Sequence, residues 1–198
     1  FIDAFGYELA PNIITSDDIE ARLEPVYKAL HFQKGQLEAL TGIQERRFWD
    51  PDYSMHEGAI KAGRKAVDAS SVSLEQIGML VYGGVCRDNL EPATACAVSD
   101  GLGLGPKTQI YDISNACLGV LNGMILTANA IALGQIEAGL IVSCESARQI
   151  VDFTIERLLE TKDMGLFKKT IATLTGGSGA VAVLLTDATV SDTGHRLL

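Results

Sequence analysis

Basic residues are scarce in this 198-residue chain. Against 25 Asp and Glu stand 16 Lys and Arg, a formal net charge of -9, with no basic cluster to interrupt the acidic background. That balance argues against nucleic-acid binding through phosphate neutralisation. It argues equally against an anionic membrane surface as partner. Cysteine is sparse too. Cys86, Cys96, Cys117 and Cys144 form no CxxC pair and have no His at ligand spacing, so the sequence offers no metal site. Four thiols in apolar or small surroundings read as the reduced cysteines of a cytoplasmic protein. Repeats, low-complexity tracts and Pro- or Ser-rich linkers are absent as well, and the opening Phe1-Ile2-Asp3 shows no secretory signal.

Charge is missing altogether from Ile113 to Ile136, a run long enough to cross a bilayer. Asn115, Asn122, Asn129 and Gln135 recur through it, however, and amides fit hydrocarbon poorly. The run reads as a helix buried inside a large fold, not as a transmembrane segment. Hydrophobic residues make up 47% of the chain, enough for a sizeable core.

What is present is an alternation of strand and helix signals. Ser54 with Glu57 makes a capping box before a helix through Ala59, Ala62, Ala66 and Val67, and Ser73 with Gln76 repeats the signature. Strands are expected at 78–83, 108–113, 138–143 and 179–185, the first and last of them buried, with helices at 94–102 and 149–161 and the charge-free helix between. Continuous apolar strands separated by helices give the α/β class, a sheet covered on both faces. In residues 1–53, Asp17 to Leu30 reads as a helix capped by Ser16 and bent or divided at Pro25. This segment is expected to be an insertion or lid on the α/β body.

Two residues are candidates for chemistry. Cys117, in Asp112-Ile-Ser-Asn-Ala-Cys-Leu-Gly-Val120, sits where a strand ends and the long helix begins. A thiol there meets the positive end of the helix dipole, which favours the thiolate, and free N–H groups able to hold an oxyanion. The alternative is a small core residue, the fate expected for Cys86, Cys96 and Cys144. Glu91 follows another strand end, in Cys86-Arg-Asp-Asn-Leu-Glu-Pro-Ala-Thr94. Ligands of open α/β sheets bind beyond the carboxyl ends of strands, so the two residues have a crevice to share. The alternative for Glu91 is an exposed loop acid. Gly101-Leu-Gly-Leu-Gly-Pro-Lys107 lacks the spacing of a phosphate loop, and Gly176-Gly-Ser-Gly179 precedes a strand instead of following one. Both read as turns.

The run Ser114-Asn-Ala-Cys-Leu-Gly119 resembles the active-site segment of thiolase-superfamily condensing enzymes, particularly those like β-ketoacyl-ACP synthase III. Thr41-Gly-Ile-Gln-Glu-Arg-Arg47, Gly134-Gln-Ile-Glu-Ala-Gly-Leu-Ile-Val142 and Gly176-Gly-Ser-Gly-Ala-Val-Ala-Val183 match further elements in order. Arg87-Asp-Asn-Leu-Glu-Pro-Ala-Thr-Ala-Cys96, with its Glu 26 residues before Cys117, is similar to the OleA-type thiolases that join two fatty acyl-CoA molecules head to head.

The resemblance implies a thiolase-like αβαβα fold, of which residues 1–198 are the N-terminal half, with the Cys117 helix at its centre. It implies a homodimeric acyltransferase. Its substrates are fatty acyl-CoA, or acyl-ACP, and it holds no permanently bound cofactor or metal. Cys117 would accept the acyl group as a thioester, with its backbone N–H in the oxyanion hole. Glu91 would reach into the partner subunit's site and deprotonate the second substrate. The family's catalytic His and Asn match nothing before Leu198, so activity is expected to need a second half. Members that bind acetyl-CoA carry a Trp and an Arg ahead of the Thr41 element. Gln36-Leu-Glu-Ala-Leu40 stands there instead, which favours a longer-chain enzyme. A priming β-ketoacyl-ACP synthase III and a non-catalytic acyl-binding scaffold are the competing readings.

Overall fold

The computed structural model describes residues 1–191 and 193–197. In chain order its elements are β1 (Ile2–Leu9), β2 (Asn12–Thr15), α1 (Ser16–Arg22), α2 (Glu24–Leu30), α3 (Gln36–Thr41), β3 (Glu45–Phe48), α4 (Met55–Asp68) and β4 (Ile77–Gly83). There follow α5 (Thr94–Leu102), β5 (Gln109–Ile113), α6 (Gly119–Ala132), β6 (Ala138–Glu145), α7 (Arg148–Thr161), α8 (Met164–Thr170) and β7 (Gly179–Thr186). They fall into two compact units.

The first unit comprises 1–8, 53–145 and 179–198. Its five-stranded sheet runs β1-β7-β6-β4-β5. β4 pairs in parallel with β5 and β6, and β6 pairs antiparallel with β7. Alternation sorts the side chains of these strands to two faces. On one, α4 approaches so closely that a Cβ on Gly58 would meet Cys144 Sγ, while Gly63 lies against Leu140 and the α5 residue Leu102. On the other, Met79, Val81, Ile141, Val183 and Leu185 pack with Met124 and Ala130 of α6. The result is three layers, helix–sheet–helix.

Within this chain α6 is buried along one face. It buries Gly119, Gly123, Met124, Thr127 and Ala130, mostly one small-residue stripe that lets its backbone approach the sheet. Its other face leaves Leu121, Ile125 and Leu133 exposed. A helix apolar on every side therefore covers the sheet with half its circumference.

The second unit comprises 9–52 and 146–178. β2 and β3 form an antiparallel pair, and α1, α2, α7 and α8 share a core that includes Ile19, Leu23, Val26, Val151, Ile155 and Phe167. The segment 1–53 is thus split between an edge strand of the main sheet and this second unit. Pro25 falls in the first turn of α2, so the expected helix breaks at Leu23. Its cap is Thr15 in place of Ser16. The Thr15 side chain accepts from the Asp18 N–H, while the Thr15 hydroxyl and then the Thr15 N–H donate to the Asp18 carboxylate and hold it below its ordinary value. No helix among the described residues is long and apolar enough to cross a membrane.

Candidate active site

The site is built where β4 and α6 touch. A Cβ on Gly83 would lie 2.7 Å from the Gly119 carbonyl carbon, and one on Gly119 would lie 3.0 Å from that of Gly83. Two glycines are needed for this backbone contact, and it seats the start of α6 against the end of β4. Cys117 stands just before that contact, outside the first turn, and is exposed. It is not core. The segment ahead of it is held by Leu118 N–H donating to the Asn115 carbonyl (2.9 Å) and by the Asn115 amide donating to Asn122 Oδ1 (2.6 Å). Ala116 adopts φ 44°, a left-handed conformation that costs a non-glycine residue about 1–2 kcal/mol. Strain of this kind gathers at functional turns.

Cys117 opens into a cavity of about 310 Å³, lined also by Gly83, Val85, Ala116, Val120, Ser143 and Glu145. Valine, alanine and glycine walls suit an apolar chain. The carboxylate among them is Glu145, at the end of β6, and sequence reasoning missed it. It accepts from Val85 N–H (2.6 Å) and Cys86 N–H (3.2 Å). The buried Tyr82 hydroxyl lies 2.7 Å from the Cys86 carbonyl and 2.8 Å from that of Cys144. Burial first, then the nearby Cys144 and Glu145, push the Tyr82 phenol well above its ordinary value.

Glu91 lies outside this cavity, exposed on the 84–93 loop. The structure therefore does not bring it to Cys117 of the same chain. The loop itself is anchored. Asp88 accepts from Met55 and His56 N–H at the start of α4 (2.7 and 2.9 Å) and pairs with His56 Nδ1 (2.6 Å). Burial alone would raise the Asp88 carboxyl, but those backbone and side-chain bonds hold it below its ordinary value. They also replace the expected Ser54 cap, which makes no side-chain hydrogen bond. Asp112 accepts from Thr94 and Ala95 N–H and pairs with Arg87 at 3.4 Å.

The other cysteines divide. Cys144 is buried as expected, but Cys96 is exposed and Cys86 half-buried. Cys96 lies on a face of α5 turned from the sheet, a distinction its apolar sequence neighbours did not reveal. No group of three or more potential metal ligands occurs among the described residues.

Comparison with known proteins gives a consistent picture. Residues 111–198 match the family 3-Oxoacyl-[acyl-carrier-protein (ACP)] synthase III. The whole chain is similar to an acyl-CoA:acyl-CoA alkyltransferase of Shewanella oneidensis, 52% identical over 201 residues and covering 58% of that protein. Among solved structures it resembles Xanthomonas campestris OleA carrying a glutamate-to-glutamine replacement, with TM-score 0.90 and 34% identity over 95% of this chain and 55% of that one. It also resembles a cysteine-to-serine form of that protein with bound lauric acid and lauroyl-CoA, with TM-score 0.88 and 34% identity, over 95% and 56%. The chain thus spans a little over half the length of these relatives.

Proposed function

We propose that this chain, which shares the thiolase-like fold of its relatives, is a thiolase-superfamily condensing enzyme of the β-ketoacyl-ACP synthase III-like kind, and on that premise that it serves a Claisen-type condensation of two fatty acyl-CoA thioesters. Cys117 attacks the first acyl-CoA, forming an acyl-cysteine thioester and releasing CoA. Glu91, acting in the partner subunit's site of a homodimer, removes an α-proton from the second acyl-CoA. The carbanion attacks the acyl-cysteine carbonyl, the thiolate of Cys117 leaves, and a β-ketoacyl product forms. The remaining acid–base groups come from a second half, without which the reaction does not run, and the enzyme works in the cytoplasm.

One observation carries this reading: an exposed thiol at a strained strand–helix turn, opening into a small apolar-walled cavity. Two others support it. The glutamate and cysteine replaced in the Xanthomonas structures are spaced as Glu91 and Cys117 are here. The Shewanella relative is an acyl-CoA:acyl-CoA alkyltransferase. The test separates two steps. Mass spectrometry of full-length protein incubated with a long-chain acyl-CoA should locate the acyl group on Cys117. Glu91→Ala should still acylate but lose condensation by ~10²–10⁴-fold, the usual contribution of a positioned base. Condensation by Glu91→Ala at the wild-type rate sinks the assignment. The family match over 111–198 favours a β-ketoacyl-ACP synthase III as second reading, and turnover with acyl-CoA in the absence of acyl carrier protein decides against it.

A further inference from the structure

Glu145 is a carboxylate in the cavity of the nucleophile, yet the reaction above gives it no role. Its two oxygens are directed at the backbone of the segment that leaves β4. Oε1 accepts from Val85 N–H at 2.6 Å and Oε2 from Cys86 N–H at 3.2 Å. The approach depends on Gly84, because a Cβ there would lie 2.9 Å from Glu145 Oε1 and 3.0 Å from the Tyr82 ring. The rest of the segment is bonded from other sides. Gly84 N–H donates to the Ile113 carbonyl at 3.2 Å, and the Tyr82 hydroxyl lies 2.7 Å from the Cys86 carbonyl. Three consecutive N–H groups and one carbonyl are thus fixed, and Glu145 accounts for two of them.

We propose that Glu145 is a positioning residue, whose carboxylate fixes Gly84–Cys86 and so sets the start of the loop that carries Glu91. The proposal rests on the roles given above to Cys117 and Glu91. It assigns Glu145 to carbon–carbon bond formation, not to acylation, because the contacts that seat Cys117 do not involve it. Those are the Gly83–Gly119 approach, the Leu118–Asn115 bond and the Asn115–Asn122 bond. The loop beyond has its own anchors at Arg87 and Asp88, so removal of Glu145 loosens one end of it and does not release the whole. Val85 is 57% exposed, so water can take over the freed N–H groups and the variant should fold.

Glu145→Gln keeps one acceptor oxygen and sets an amide N–H₂ against the other backbone donor. In full-length protein we expect condensation to fall roughly 10-fold or more, by analogy with the ~10²-fold cost of a 1 Å misplacement. Acylation of Cys117 should fall less than condensation does, since the contacts that seat the thiol do not involve Glu145. Hydrogen exchange should accelerate at the Val85 and Cys86 amides and not in β4 or β6. Glu145→Asp, which keeps both acceptors and the charge, should recover part of the condensation rate. Equal loss of acylation and condensation overturns the proposal, as does wild-type condensation or unchanged exchange at the two amides. Glu91→Ala run alongside reads the underlying assignment. If it condenses at the wild-type rate, that assignment falls and this proposal with it. If Glu91→Ala fails to condense while Glu145→Gln condenses normally, the positioning role alone falls.

Discussion

Gly83→Ala tests the contact that joins fold to site. The new Cβ would stand 2.7 Å from the Gly119 carbonyl carbon, 2.8 Å from its oxygen and 2.9 Å from Val120 N. All three are backbone atoms, so no side chain can rotate away. Restoring an ordinary 3.4 Å contact from 2.7 Å requires α6 to move by about 0.7 Å. Overpacking of this kind costs roughly 1–3 kcal/mol. For a chain of this size that lowers Tm by ~2–12 °C, at 2–4 °C per kcal/mol. Cys117 stands two residues before Gly119, so the same displacement moves the thiol, and misplacement on this scale costs ~10–10²-fold in rate. Gly105→Ala is the control, since nothing lies within 4 Å of its Cβ, and its Tm should stay within about 2 °C of wild type. Thermal unfolding and the acylation rate at Cys117 are measured on both. A Gly83→Ala protein with wild-type Tm and acylation would show that α6 is not seated by this approach.

Asp88→Ala removes the acceptor for Met55 and His56 N–H and should destabilise by ~1–2 kcal/mol in urea at neutral pH, the worth of a helix cap. Because the folded-state carboxyl of Asp88 is depressed, its contribution is present above the ordinary value of 3.8 and lost as pH falls through the lower, folded-state value. The variant should therefore show a shallower acid destabilisation than wild type below about pH 4, and identical slopes refute the cap. Glu20→Ala strips the partner from Tyr27 hydroxyl, Gly35 N–H and Leu37 N–H inside the second unit and should cost about 3 kcal/mol. Burial, then the Glu20 carboxylate, hold the Tyr27 phenol above 10.0 in the folded state. Stability is therefore complete below that pH and falls as pH rises through it, because the unfolded tyrosine ionises first. Phenolate absorbance appearing with unfolding, not before it, is the expected result.

Elements with locally complete signals were legible in the sequence. Ile77–Gly83, Ala138–Glu145 and Gly179–Thr186 are apolar runs too short for helices, and α5 and α7 carry their own periodicity. β1 was not legible, since Ile-Asp-Ala-Phe-Gly-Tyr-Glu-Leu at a sheet edge mixes acids, glycine and aromatics. Ala4 and Gly6 are buried while Phe5 and Tyr7 stay exposed, so the strand alternates with its small residues inward and hydrophobicity does not mark it. Caps were read correctly where donor and acceptor are three residues apart, as at Ser73 and Gln76. They were misread at Ser54, where the acceptor is Asp88, 33 residues beyond the Met55 donor. The second unit pairs 9–52 with 146–178, a partition that no composition boundary announces.

The same division explains which parts of the site could be found. Cys117 was visible because its setting is local: a strand, a short turn and a glycine opening a helix, all within one stretch of sequence. Glu145 was not, because its placement depends on backbone donors 60 and 59 residues earlier and on a glycine that lets it approach them. Before folding it is an acid at the end of an apolar strand, which reads as solvated. Folding sets β6 beside β4 in parallel, so both strands end at the same side of the sheet, where Cys117 also opens. The strand order that makes α6 cover β4 and β6 therefore also turns a strand-end carboxylate toward the loop after β4. In this chain Cys117 is set by short-range turn geometry and the start of the loop after β4 by sheet topology. That is why single substitutions at Gly83 and at Glu145 should separate the two steps of the proposed reaction.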